Sequence, residues 1–415
     1  MSTLSRAIQR GWERPRWLNH LLYPLALGYG ALMRLRRLAY RAGVLARDRL
    51  PLPLIVVGNL SIGGVGKTPL VIELVEQLKA RGVRCGVISR GYRARRADGD
   101  RPREADAGAD AAEVGDEPAL IARRCRVPVM VGRDRRRSAR ALLERHRCDV
   151  LISDDGFQHL ALRRDLDIVV IDGERRFGNG WCLPAGPLRE PRSALRCADL
   201  VVAVNGDSDG DGEFSMTTRI EHAVRIGAND SDASASRDSD SSANALHDSD
   251  SNERALRDSD SDAHALRDFD SNERALRDSN SNARVLCDSD SNEHALCDSD
   301  SNTRALRDFV GVPVHAVAGV GNPGRFFRQL AAHGLDVIAH EFPDHHAYAP
   351  ADFDFADGDS TVLMTEKDAV KCAALVADGA VAGVFWAVPL QVEIAPALMR
   401  AVLARVGLES AEGAR

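Results

Sequence analysis

The chain has no C-x-x-C pair and no regular cysteine spacing, its eight cysteines falling at 85, 125, 148, 182, 197, 287, 297 and 372, mostly in apolar surroundings. That excludes a disulfide scaffold and reads as unpaired thiols in a reducing cytosol. A guanine-reading N-K-x-D segment is missing, "TEKD" at Thr365–Asp368 resembling one only loosely, and no G-x-G-x-x-G follows the first apolar strand. The first absence disfavours a GTPase and the second a dinucleotide-dependent oxidoreductase. A strong charge of one sign is missing too. Lys and Arg number 55 against 61 Asp and Glu, a net charge of -6 that does not suggest a nucleic-acid binder. Near the N-terminus "WLNHLLYPLALGYGALM" (Trp17–Met33) is free of charge for only seventeen residues. A bilayer crossing needs about 20, and Asn19, His20 and Pro24 weaken the case further. No small-residue cleavage site accompanies it, which argues against a removable signal peptide.

What is present is polarised. Residues 1–50 carry ten arginines against only Glu13 and Asp48. We expect this segment to be a helix lying in the face of a membrane. Trp17, Tyr23 and Tyr29 would sit at headgroup depth, and Arg14, Arg16, Arg34, Arg36 and Arg37 would meet anionic lipid. Residues 237–306 are seven consecutive decapeptides beginning "RDSDSSANAL HDSDSNERAL". Each copy offers little beyond one leucine and a run of Asp and Ser, too little apolar surface to offset the entropy of ordering. The expectation is a disordered insert at a domain junction, because strand-like "HAVAGV" (His315–Val320) resumes soon afterwards.

Between these segments lies a strand–loop–helix unit. "LPLIVVGN" (Leu52–Asn59) reads as a buried parallel strand, "SIGGVGKT" (Ser61–Thr68) as a glycine-rich turn, and "PLVIELVEQLKARG" keeps helical apolar spacing up to Gly82. Such a turn, Ser61, Ile62, Gly63, Gly64, Val65, Gly66, Lys67 and Thr68, wraps phosphates with its N–H groups. The helix N-terminus adds positive potential, Lys67 reaches the β- and γ-phosphates, and the Thr68 hydroxyl binds Mg²⁺. Ser61 stands where the usual pattern has glycine; Gly63 and Gly64 restore backbone freedom. "CDVLISDDG" (Cys148–Gly156) ends an apolar strand in Asp154 and Asp155, adjacent acids that would repel each other without a cation. Further strands at α/β spacing ("VRCGVIS", "VPVMV", "LDIVVID", "ADLVVAV") indicate a parallel sheet with helices on both faces.

Phosphoryl transfer also needs a group to orient or deprotonate the acceptor hydroxyl. "VGDEPAL" (Val114–Leu120) places Asp116 and Glu117 ahead of Pro118, at a helix start on the ligand edge of the sheet; a plain helix cap fits the same residues equally well. "FPDHHAY" (Phe342–Tyr348) puts an acid beside two histidines. Adjacent residues on an extended chain point opposite ways, so one histidine oriented by a carboxylate fits better than a metal-binding pair.

Taken together, "VGNLSIGGVGKTP", "SRGYR", "VGDEP", "SDDGFQH", "LPAGPLREP", "AVAGVGNPGRFF", "FPDHHAY" and "LMTEKDAVKC" resemble the tetraacyldisaccharide 4'-kinases of lipid A biosynthesis, in that family's order from about residue 15 to 405. The resemblance implies an ATP- and Mg²⁺-dependent kinase acting on the 4'-hydroxyl of a tetraacyldisaccharide 1-phosphate to give lipid IVA. Its partner would be a membrane-embedded glycolipid at the cytoplasmic leaflet of the inner membrane, with no obligate protein partner inferred. Matched motif by motif, Asp116 activates the hydroxyl, His345 is its partner, and Asp154 and Asp155 are metal-side acids. Tyr92, Arg93, Arg189 and Glu190 fall near the reacting groups. The decapeptides depart from the family pattern, which has a short connection there. The nearest competitor is a nucleotide-dependent switch, which would hydrolyse ATP without any lipid acceptor.

The expected architecture is therefore α/β. A P-loop NTPase-like parallel sheet flanked by helices (51–227) follows the membrane-associated helix (1–50), then the repeat insert (228–308) and a smaller C-terminal α/β domain (309–415).

Overall fold

The computed structural model describes residues 11–12, 15–92, 94, 101–206, 212–227 and 302–408. Arg14, Arg93 and the repeats up to residue 301 lie outside the described residues.

The first sheet grows from five continuous apolar runs, β1 (Leu54–Gly58), β2 (Cys85–Ser89), β5 (Val150–Ser153), β6 (Leu166–Asp172) and β7 (Leu200–Val204), almost wholly buried. Strands covered on both faces have no reason to alternate, and these do not. With β3 (Arg103–Ala105), β4 (Val129–Val131), β8 (Glu213–Arg219) and β15 (Gln391–Ile394) they order as β15-β8-β7-β6-β1-β5-β2-β4-β3. Only the two edge strands, β3 and β15, pair antiparallel.

One face is packed by α2 (Lys67–Ala80), α4 (Asp116–Cys125) and α8 (Pro396–Val406), through Leu70, Leu74, Leu78, Ile121, Leu398 and Val402. Short α3 (Ala111–Val114) precedes α4. On the opposite face, α5 (Arg135–Arg145) lays Ala139 and Leu142 over Leu54, Val56 and Ile88. The rest of that face is covered by α1 (Trp17–Arg41), whose Ala26 joins Phe157, Ala185 and Leu188 above Val169 and Ile171. Each fully buried leucine in these layers contributes about 1.5–3 kcal/mol.

The second sheet orders β10 (Thr303–Ala305), β9 (His222–Arg225), β14 (Val384–Val388), β13 (Thr361–Thr365), β11 (Pro313–Ala318) and β12 (Asp336–Glu341). It carries α6 (Pro323–Ala332) and α7 (Glu366–Ala377). Both sheets belong to one compact unit, Met1–Ala228 with Asn302–Arg415.

The chain passes between sheets differently from the division expected at 227 and 309. β9 already pairs with β14 of the second sheet, and β10 pairs antiparallel with β9. The last decapeptide thus ends inside the second sheet, where its Leu306 is buried with Phe309. At the other end β15 pairs with β8, and α8 returns to the first core. An apolar face left by β8 and α2 takes up Ile394, Met399 and Leu403, so the core of the first sheet is completed by β15 and α8.

The N-terminal helix is two-faced. Trp17 (77% exposed), Leu21, Leu25, Leu32, Leu35 and Leu38 face outward, while Asn19, Ala26 and Gly30 are buried. No described helix is long and apolar enough to cross a membrane. Two of the arginines expected at lipid turn inward instead: Arg37 pairs with Glu190 and lies over the Phe157 ring, and Arg36 donates to the Gln158 carbonyl at 2.9 Å. Tyr29 also turns in, its hydroxyl donating to the Arg189 carbonyl at 2.9 Å. The helix needs polar anchors where it crosses the loop carrying Arg189 and Glu190, and these residues supply them.

Candidate active site

The glycine-rich turn leaves β1 and enters α2 through Gly66, whose φ of 90° is the left-handed region that favours glycine. Ser61 pairs across to Leu188, Ile62 donates its N–H to the Pro187 carbonyl at 2.8 Å, and Val65 is buried, so the turn is pinned at its start and near its end. Lys67 and Thr68 open the helix and are both buried. The Lys67 ammonium donates to Asn59 Oδ1 at 3.2 Å and lies 3.4 Å from Asp155 Oδ1. Asn59, buried at the end of β1, in turn donates to the Ser61 carbonyl at 2.7 Å. It was not singled out from the sequence, although it stands within the "VGNLSIGG" stretch.

Asp154 and Asp155 end β5 but face different surroundings. Asp155, at φ 48°, accepts from Arg189 at 2.9 and 3.1 Å as well as facing Lys67. Burial pushes its carboxyl up, yet Lys67 and Arg189 outweigh that and hold it at about 2. Asp154 is fully buried, and neither carboxylate oxygen has a hydrogen-bond partner. Burial, then Glu117 and Asp155, raise its carboxyl to about 7. Two acids grouped in sequence as metal-side residues therefore divide: one is satisfied by cations of the chain, the other is not. Arg135, on the first turn of α5, buttresses the pair from behind by donating to the Asp154 carbonyl at 2.7 Å and the Asp155 carbonyl at 3.1 Å. Nothing in its sequence context set it apart from the neighbouring arginines.

The second cluster brings residues together across the two sheets. Asp116 and Glu117 occupy the first turn of α4, with Gly115 rather than Asp116 as the cap, so Asp116 is free for a partner outside the helix. That partner is His345, whose Nδ1 lies 3.0 Å from Asp116 Oδ2. His345 has φ 59°, a backbone costing a non-glycine residue about 1–3 kcal/mol and concentrated at functional sites. The Tyr92 ring lies 5.1 Å from the His345 ring. Burial raises the Asp116 carboxyl, but the His345 hydrogen bond and then Lys371 and Lys367 bring it below its ordinary value. His346 points elsewhere, bonded to Asp352 at 2.9 Å and ringed by Phe342 and Tyr348. The two histidines thus diverge, as adjacent side chains should.

Where the sheets meet, Gly64 of the first turn faces Gly321 of the "AGVGNPG" turn ahead of α6. A Cβ on Gly321 would lie 2.8 Å from the Gly64 backbone nitrogen, so the approach requires glycine. Arg325, on the first turn of α6, reaches back to Asp172 at 3.4 Å and Glu174 at 3.3 Å. Glu190 sits beneath Arg189, held by Arg37 of α1. A shallow apolar groove of about 430 Å³ runs beside α1, between Leu25, Tyr29, Leu32 and Pro184.

Comparison with known proteins follows the same outline. The family model described as "Tetraacyldisaccharide-1-P 4'-kinase" matches residues 18–265 and 252–407. A tetraacyldisaccharide 4'-kinase of Methylobacillus flagellatus is 39% identical over 405 residues, covering 97% of both chains. That of Azoarcus sp. is 42% identical over 390 residues, 93% of this chain and 91% of the relative. Among solved structures, an "apo" form LpxK from Aquifex aeolicus in complex with ATP superposes with a TM-score of 0.65 at 25% identity, covering 94% of this chain and 99% of that one.

Proposed function

This chain belongs to the tetraacyldisaccharide-1-phosphate 4'-kinase family, and from that premise we infer that it transfers the γ-phosphate of ATP to the 4'-hydroxyl of a tetraacyldisaccharide 1-phosphate, giving lipid IVA in lipid A biosynthesis. The observation that carries the residue-level reading is the Asp116–His345 contact at 3.0 Å, an acid on a helix packed on the first sheet meeting a histidine from the loop after β12 of the second.

The turn Ser61–Thr68 acts as a phosphate loop. Its N–H groups and the start of α2 hold the phosphates, and Lys67, kept in place by Asn59 and Asp155, supplies a fixed positive charge. Arg189, positioned by the same carboxylate, adds a second charge beside it. Asp116 orients the sugar hydroxyl and accepts its proton as the hydroxyl oxygen bonds to the γ-phosphorus and the bridging oxygen leaves with ADP, while His345 holds the Asp116 carboxylate. Its pKa, held below the ordinary carboxylate value by His345, Lys371 and Lys367, keeps Asp116 ionised, the form an acceptor of the proton requires.

The residues fit Mg²⁺. Asp154 presents a buried carboxylate with no hydrogen-bond partner among the described residues, and Thr68 lies on the first turn of α2. Among the described residues no three His, Cys, Asp or Glu side chains gather into a metal site, which suits an ion sharing its coordination between one carboxylate and substrate phosphates. When bound, that cation would neutralise charge on the transferring phosphoryl group.

The outward apolar face of α1 suits the cytoplasmic face of the inner membrane, where a substrate with four acyl chains resides. Trp17 and the outward leucines lie in the interface while Arg36 and Arg37 tie the helix to the catalytic loops beneath.

The test is transfer of labelled γ-phosphate from ATP in detergent micelles, with and without the disaccharide. The kinase reading expects little ATP consumption until lipid is added, then labelled lipid. Steady hydrolysis that ignores the lipid would favour a nucleotide-driven switch.

A further inference from the structure

Lys367 has three donors and, within reach, three acceptors. Its ammonium lies 3.4 Å from His345 Nε2, 3.5 Å from Asp344 Oδ1 and 3.5 Å from Glu117 Oε1. It stands on the first turn of α7 with its side chain 19% exposed, beside a His345 side chain that is 14% exposed. An ammonium carries only N–H donors and cannot accept. A contact between it and an imidazole nitrogen therefore requires a lone pair on that nitrogen.

We propose that Lys367 is the positioning residue that sets the tautomer of His345: by donating to Nε2 it leaves the ring proton on Nδ1, aimed at Asp116. The proposal rests on the kinase reading for its catalytic meaning and on this geometry alone for its chemistry. With Nδ1–H donating to Asp116 Oδ2, the other carboxylate oxygen is left to take the hydroxyl proton. The opposite tautomer would set an imidazole lone pair against the carboxylate and loosen it.

Other charged groups also surround His345. Asp344 Oδ1 lies 3.8 Å from Nε2 and would draw a proton there, but the same oxygen faces Lys367 more closely. Asp116 and Glu117 come from α4; Glu117 is engaged by Lys367. Lys371, one turn along α7, lies 4.0 Å from Asp116 Oδ2 and is held 2.7 Å from Asp368 Oδ1, so it adds charge near Asp116 while bound to its own helix. Burial lowers the pKa of Lys367, but Glu117, Asp344 and Asp116 raise it above its ordinary value, and the group stays an ammonium at neutral pH. Both lysines fall in the "LMTEKDAVKC" stretch, where spacing of four on a helix places them on one side.

The test is direct. Full-length protein labelled with ¹⁵N-histidine gives long-range proton–nitrogen spectra that distinguish the two neutral tautomers, with His345 assigned from the signals lost in His345→Gln. The expected result is a His345 ring carrying its proton on Nδ1 with Nε2 unprotonated, a pattern lost in Lys367→Met and kept in Lys367→Arg. A proton on Nε2 in the wild type, or a pattern unchanged in Lys367→Met, overturns the proposal. The wild-type spectrum decides even should Lys367→Met not fold, and it decides whether or not lipid is phosphorylated. In the kinetic arm, loss of the cation moves the acid limb of kcat/KM for lipid upward by roughly half a unit to one unit, with KM for ATP unchanged and Lys367→Arg restoring the profile. A uniform loss of rate across pH, with the limb unmoved, contradicts it.

Discussion

The replacement Asp154→Asn should stabilise the protein in the absence of metal. Asp154 is fully buried with both oxygens unpartnered, and its carboxyl is raised from 3.8 to about 7. That gap corresponds to about 4 kcal/mol. The sign follows from proton binding. Between 3.8 and about 7 the folded protein holds a proton that the unfolded chain has released, so stability falls as pH rises through this window and the loss is complete above it. Asparagine removes the charge and keeps the shape. Glu117, Asp155, Lys67 and Arg135 act on the Asp154 charge and are already contained in that raised value, so they enter the difference once and only through it. After relaxation around the site, the variant should be more stable by about 2–4 kcal/mol at pH 8 in EDTA, and close to equal near pH 4. For a chain of this size that is a rise of roughly 3–6 °C in Tm. Adding millimolar Mg²⁺ together with ATP should narrow the gap, because an ion held between the carboxylate and the phosphates would stabilise the wild type more than the variant. The assay is thermal unfolding followed by circular dichroism at both pH values, with EDTA and with Mg²⁺ and ATP. A variant no more stable than wild type at pH 8 in EDTA, or an equal gain from Mg²⁺ and ATP in both proteins, would refute the reasoning.

Three further outcomes are expected. Arg37→Ala leaves the Glu190 carboxylate, 2% exposed, without its cation and should cost about 3–5 kcal/mol in urea unfolding. The double replacement Arg37→Met with Glu190→Gln should recover most of that loss, and a midpoint unmoved by Arg37→Ala would contradict the pairing. Replacing Trp17, Leu25 and Leu32 by serine should cut binding to anionic lipid vesicles at least tenfold without changing Tm, since these side chains are exposed and each apolar one is worth about 1.5–3 kcal/mol when buried. Unchanged vesicle binding would remove the outward face of α1 from the account. His345→Ala should lower kcat for lipid by about 10²–10⁴ while leaving ATP affinity, measured by calorimetry, within about twofold; a comparable loss of ATP affinity would place His345 in nucleotide binding instead.

The parts legible in sequence were those with a local signature. Buried parallel strands such as Leu54–Gly58 and Leu166–Asp172 announce themselves as apolar runs, and the glycine turn between strand and helix fixes Lys67 and Thr68. Pairings that depend on distant partners were not legible. Whether Thr303–Ala305 is a strand depends on β9, some eighty residues away across the repeats, and β15 becomes part of the first sheet only through β8. Arg37 reads as one of ten N-terminal arginines, and nothing local distinguishes the one that meets Glu190. Asp154 and Asp155 look equivalent along the chain, yet Arg189 and Lys67 reach only the second, because the turn at φ 48° rotates it toward them. Nothing local gives Lys367 and Lys371 a role, since their partners Glu117 and Asp116 lie on α4 and Asp344 on the loop after β12. Asp116 and His345 were each ambiguous alone; their juxtaposition across 229 positions of sequence is what the fold adds.

The central claim is that Asp116 directs the γ-phosphate of ATP onto one sugar hydroxyl of the glycolipid. Its most direct measurement is single-turnover transfer from ATP to tetraacyldisaccharide 1-phosphate in micelles, by wild type and by Asp116→Asn, with the product's phosphate position read by ³¹P–¹H correlation spectra. The account predicts one new phosphate at the 4' position, dependent on Mg²⁺, and a transfer rate lower by about 10²–10⁴ in the variant with ATP still bound. Phosphate appearing elsewhere on the lipid, or a variant that transfers at the wild-type rate, would contradict it.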